Sequence, residues 1–157
     1  MKLFVIFYFI LIFNLSSEEY NLSAYFRGNL QYDNIEFPND SKYLVSEFSG
    51  NWEDNMGNFG DIRCLSSQFT NSSTEIALEA YCKAKNQKKK EFWIRLKRES
   101  FELAGVGKSK YLFAKDQFEI LIDKECPYAV QIVEGGGIFK KKCKLTKDEF
   151  SKLKSYD

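Results

Sequence analysis

The chain has 157 residues, 23 of them basic and 22 acidic, a formal net charge of +1 and no histidine. So neutral a chain gives no electrostatic ground for a nucleic acid or an anionic membrane as partner. The missing histidine removes Ser-His-Asp and Cys-His catalysis, histidine-bearing zinc sites and histidine-ligated haem. No metal site and no cofactor are expected.

Met1-Lys2 leads into an apolar run, Leu3 to Phe13, which ends at Asn14, Ser16 and Ser17. One base, a short apolar core and small residues after it describe a secretory signal peptide over 1–17. A membrane span needs roughly 20 apolar residues, and no later run is long enough. The expectation is an exported, soluble chain starting near Ser17 to Glu19. Its roughly 140 residues make one domain, which buries about two-thirds of the unfolded chain's surface.

Residues 18–42 mix Tyr, Phe, Asn and Asp without sustained period and read as an N-terminal arm, open to an extracellular protein partner. The domain proper is 43–157. Its strand-like runs are Ile62–Thr70, Glu75–Lys83, Glu91–Lys97, Phe101–Ala104, Lys110–Ala114, Gln117–Asp123, Tyr128–Glu134 and Ile138–Lys144. Thr146 to Tyr156 reads as a helix, with Thr146 and Glu149 as its capping box. Eight short strands at steady spacing predict an all-β fold, an antiparallel barrel or a sandwich. The lysine runs 88–90 and 140–142 read as solvated loop or edge charges. Trp93, of opposite parity to its apolar neighbours, points outward, under the helix.

Four cysteines in an exported chain suggest two disulfides, and four allow three pairings. Cys64 and Cys82 are equidistant from Ser73, so a hairpin folded there sets them opposite each other. A hairpin folded about Glu134 to Gly137 does the same for Cys126 and Cys143. A pairing between hairpins is the alternative. Beyond the expected leader, three sequons, at Asn21, Asn39 and Asn71, are candidate glycosylation sites.

Period-two alternation gives the strands one dry face and one wet face. On the dry faces fall Ile76, Leu78, Phe92, Ile94, Leu96, Phe118, Ile120 and Ile122, with Phe101, Leu103, Tyr128, Val130 and Ile132 assigned to the same interior. Closing the sheet turns that face inward and removes the exposed edges. About eight strands enclose room for packed side chains or for one small ligand.

The segment "FSGNWED" places Phe48, Gly50 and Trp52 as aromatic-x-Gly-x-Trp. It resembles the entry segment of the lipocalin (calycin) superfamily, of the apolipoprotein D and bacterial lipocalin type. Gly60 to Phe69 resembles that family's second strand, Phe118 to Val133 its paired later strands, and Gly137 to Ser155 its last strand and helix. The likeness covers most of Tyr43 to Tyr156. Where the family has Tyr-Glu after the Trp, this chain has Glu53-Asp54. Of the family's Thr-Asp-Tyr motif only the Asp remains.

The resemblance implies an eight-stranded antiparallel up-and-down β-barrel, closed at one end by the N-terminal segment, with a short C-terminal α-helix. Gly50 would let the entering chain turn sharply, and Trp52 would plug the closed end. Lys141 or Lys142 would cover it in place of the family's arginine. The implied function is a secreted carrier or sequestering protein for a small hydrophobic ligand of the fatty acid, sterol, retinoid or pigment class. Not an enzyme is the expectation; the alternatives are an extracellular interaction module with a filled barrel, or a lipocalin-type enzyme. "GVGKS", Gly105 to Ser109, lacks the earlier glycine of a phosphate loop and reads as a turn.

Overall fold

The computed structural model describes residues 19–70, 78–98 and 104–154, and its eight antiparallel strands close into one barrel. The strands are β1 (Tyr20–Glu36), β2 (Lys42–Asp54), β3 (Phe59–Thr70), β4 (Leu78–Asn86), β5 (Glu91–Arg98), β6 (Ala104–Ala114), β7 (Glu125–Val133) and β8 (Gly136–Leu145). Each pairs with its neighbour in sequence, and β8 pairs back onto β1, so no edge is left open. One helix, α1 (Lys147–Lys154), follows. The expected fold class is the one found.

The strands themselves differ from the expected set in four places, one of them β2, which that set lacked. The N-terminal arm is β1, paired with β2 over Ala24–Glu36 and with β8 over Tyr20–Asn29. Leu22, Ala24 and Phe26 point inward and are buried, but beyond Leu30 the strand turns polar and the alternation fades. Next, Gln117–Asp123 is not a strand. Asp116–Leu121 forms a 3-10 turn, entered at Asp116 with φ 56°. Its period of three buries Phe118 and Leu121 on one face, whereas the alternation of Phe118, Ile120 and Ile122 only imitates a strand. Finally, Ala104 and Lys110–Ala114 belong to a single strand, β6. The "GVGKS" stretch read as a turn is its middle, with Lys108 opposite Lys97 and Gly105 opposite Val130.

"FSGNWED" lies inside β2, not before a first strand. Gly50 makes no turn. A Cβ there would stand 2.0 Å from the Arg27 carbonyl oxygen and 2.5 Å from the Gly28 Cα. Gly50 faces Gly28, so the two glycines let β1 and β2 approach closely.

Both cysteine pairs form as hairpin geometry sets them: Cys64–Cys82 across β3 and β4, Cys126–Cys143 across β7 and β8. All four side chains are buried. On a loop-entropy account each bond contributes ~3 kcal/mol. The double variant Cys126→Ala/Cys143→Ala should therefore lose about that much in urea unfolding, read as a lower midpoint at unchanged slope.

At the helix start Thr146 Oγ1 accepts the Glu149 amide at 3.2 Å, and Glu149 Oε2 accepts the Thr146 amide at 2.8 Å. The capping box is thus present. Leu153 is buried, and Phe150 packs on Tyr20 at 5.2 Å between ring centroids. The helix touches β1, β8 and the 3-10 turn. It does not cover Trp93, whose ring lies under two lysines, with Lys83 Nζ at 5.3 Å and Lys115 Nζ at 5.6 Å. Among the described residues no helix is long and apolar enough to cross a membrane.

Candidate ligand cavity

The barrel has two unlike ends. At one, β1 begins, β2 ends, and the 3-10 turn and helix gather; this end is packed shut. Trp52 is buried there, edge-on to Phe92 (5.0 Å) and Phe118 (6.1 Å), with Phe26 stacked at 6.4 Å. Its Nε1 donates to the Lys85 carbonyl oxygen at 3.2 Å. A polar network closes the rim: Asn58 Oδ1 accepts from Gln117 Nε2 at 2.8 Å and Asn86 Nδ2 at 3.2 Å. Asn58 Nδ2 and the Met56 and Asn58 amides donate in turn to the Asp54 carboxylate. Closure therefore comes from the β2–β3 turn and the 3-10 segment, while the N-terminal residues serve as wall.

Lys141 is part of that packing. Period-two alternation along β8 sends Lys140 and Lys142 outward and Lys141 inward, where it is fully buried. Its Nζ stands 3.8 Å from the Tyr111 ring centroid, 5.5 Å from Phe92 and 5.7 Å from Phe26, with no hydrogen-bond partner among the described residues. Burial lowers its pKa to about 7, opposed by the Asp54 charge. Burial in the same place pushes the Tyr111 hydroxyl and the Asp54 carboxyl up. Lys141 accordingly covers Phe26 and Phe92, which pack on Trp52, and Tyr111, which packs on Phe92, while Lys142 points outward. The reading of lysines 140–142 as a solvated run fails at its middle residue.

A floor of aromatic rings separates the packed half from the open half. Phe26 and Phe139 stack at 4.1 Å, and Phe48 and Tyr128 meet Phe139 edge-on. Above it lies a cavity of about 610 Å³ reaching the end of the barrel at which β1, β3, β5 and β7 finish. Its size falls within the range of small-molecule sites. The walls are mostly apolar: Leu30, Leu44, Leu78, Leu96, Val130 and Ile132, above Phe48 and Phe139. Polar side chains are few among the described residues, namely Tyr32, Ser46, Ser66, Gln68, Arg98 and Tyr128, with Glu134 the one carboxylate among them. Ser46 and Ser66 bond each other.

Of the residues expected to line a ligand space, Leu78, Leu96, Tyr128, Val130 and Ile132 do so. Phe92 and Ile94 point inward, but they are buried in the core away from the cavity wall. Phe118 is buried in the 3-10 turn at the shut end, Ile120 packs partly against the core, and Ile122 is 41% exposed. Ile76, Phe101 and Leu103 lie outside the described residues, as do Asn71 and residues 1–17, the expected leader. Asn39 sits exposed at a turn, and Asn21 lies in β1. The walls from β1 and β2, and Arg98, were not anticipated. The inward Leu44, Ser46, Phe48 alternation of β2 was the signal for one of them.

A second concavity, about 680 Å³, lies at the shut end over outward-facing residues of β1 to β4. Arg27, Glu53, Asp61 and Lys85 make its walls charged, which suits an apolar ligand poorly. Comparison of the chain with protein-family models, curated proteins and solved structures finds no match.

Proposed function

We propose that the protein is a secreted carrier or sequestering protein that takes one small hydrophobic molecule into the open half of its barrel. The cavity of about 610 Å³ with apolar walls carries this reading, because the rest of the interior is packed. The resemblance to lipocalins supports it. Two buried disulfides and the leader-like 1–17 segment support export. The rival interaction module rested on a free N-terminal arm, and that segment is a barrel strand. A lipocalin-type enzyme using a thiol has no candidate, since all four cysteines are bonded.

Titration with N-phenyl-1-naphthylamine, a neutral apolar fluorophore, tests the reading. Saturable binding at one site is expected in delipidated protein. Ser66→Trp, which fills the cavity from its wall, should abolish that binding while leaving the far-ultraviolet circular dichroism unchanged. Absent saturation in the native protein, or undiminished binding in the filled variant, would refute the reading.

A further inference from the structure

Resting on that reading, we infer that the ligand is an anionic amphiphile whose carboxylate is held by Arg98 while its apolar body fills the cavity. Arg98 is the last residue of β5 and points into the cavity from its wall. It faces Leu78 across the β4–β5 ladder, and Leu78 faces Gln68 across β3–β4, so the three form one layer of the open half. Only 4% of Arg98 is exposed, and its Nε and Nη1 are out of water with no hydrogen-bond partner among the described residues.

Such an arrangement is costly in an empty protein. Arginine is almost never buried without a partner, because an uncompensated charge in low dielectric forfeits its hydration. Apart from Lys141, whose Nζ meets only aromatic rings, the other buried polar side chains find hydrogen-bond partners among the described residues. Asn58 and Asn86 bond each other, and Ser109 donates to the Cys126 carbonyl oxygen at 3.0 Å. Glu134, the one carboxylate that the described residues bring to the wall, sits exposed in the β7–β8 turn.

What the guanidinium lacks is a planar pair of acceptor oxygens: Nε and Nη1 are donors that no group among the described residues takes. A carboxylate seated on the edge that pairs either of them with Nη2 gains bidentate, charge-assisted hydrogen bonds. Tyr128 and Gln68 share the cavity wall. Burial raises the Tyr128 pKa and the positive charge of Arg98 opposes that rise, which places the phenol within the field of the guanidinium. Beside this polar group the walls are Leu78, Leu96, Val130 and Ile132, which suit a hydrocarbon body and no second charged group.

Competition for bound N-phenyl-1-naphthylamine by oleate and by oleyl alcohol, which share a chain and differ in the head, tests the inference. Oleate should compete at about 10- to 100-fold lower concentration, the range of a buried charge-assisted hydrogen-bond pair. Arg98→Leu should erase that preference, and Arg98→Lys should keep part of it. Thermal unfolding of ligand-free Arg98→Leu should show a midpoint equal to or above the native one, since an unpaired buried charge is removed. Equal competition by acid and alcohol, an undiminished preference in Arg98→Leu, or marked destabilisation of that variant would each overturn the inference. If the fluorophore itself fails to bind, the cavity reading falls first, and this one with it.

Discussion

Trp52→Ala should cost ~3–5 kcal/mol of folding stability, measured as urea unfolding at constant slope. The indole is buried at the shut end against Phe26, Phe92 and Phe118, on three separate elements of the fold. Truncation leaves a cavity that rings fixed in strands cannot collapse to fill. It also strips the Lys85 carbonyl oxygen of the Nε1 hydrogen bond. Trp52→Phe should recover most of the loss, because the ring contacts stay and only the hydrogen bond goes. A cost for Trp52→Ala below about 1 kcal/mol, the level of an unremarkable surface change, would contradict the plug assigned to this residue. Binding of the neutral fluorophore should survive at denaturant concentrations where the variant stays folded, since the Phe26–Phe139 floor lies between plug and cavity.

The second large effect concerns Lys141 and pH. Its pKa is about 7 in the folded protein against an ordinary value of 10.5. Between these values the unfolded chain holds a proton that the folded chain has released. Stability therefore rises with pH across that window, by about 1.4 kcal/mol per unit once the folded lysine is neutral. Below pH about 7 both states are protonated, and the full penalty of burying the charge applies. Lys141→Met keeps a linear chain over Phe26, Phe92 and Tyr111 and carries no charge. It should be more stable than the native protein at pH 6 and should flatten the rise between about pH 7 and 9. Chemical unfolding at several pH values reads both effects. A native stability that falls across this window, or a rise that persists in the variant, would contradict the burial of a neutral amine.

How much of this was legible in the sequence follows from which signals are local. The alternation in Phe92, Ile94 and Leu96 named β5 and its inward face without ambiguity. Equal spacing about Ser73 paired Cys64 with Cys82, because a two-strand ladder needs only arithmetic. Signals that depend on three-dimensional company were less readable. The strand β1 was obscured because its second half, from Gln31, is exposed and polar, and only its pairing on both sides makes it a strand. At Phe118, Ile120 and Ile122 a short apolar run fits a period of two as well as a period of three. The buried amide of Gln117, taken up by Asn58 some sixty positions away in sequence, decides the matter. Lys141 carried two readings, the middle of a solvated run and, as an alternative to Lys142, the cover of Trp52, since nothing in a lysine's identity announces that its strand faces it inward. Arg98 was overlooked for the same reason: a charged residue at a strand end is ordinarily rim.

The central claim, a barrel shut at one end and receptive at the other, is tested most directly by residue-resolved amide NMR during titration with N-phenyl-1-naphthylamine. Shifts should concentrate at Leu78, Leu96, Arg98, Val130 and Ile132, while Trp52, Asn58 and Asn86 stay nearly still. Shifts centred instead on Arg27, Asp61 and Lys85, around the outer concavity, or on the Trp52 cluster, would contradict it.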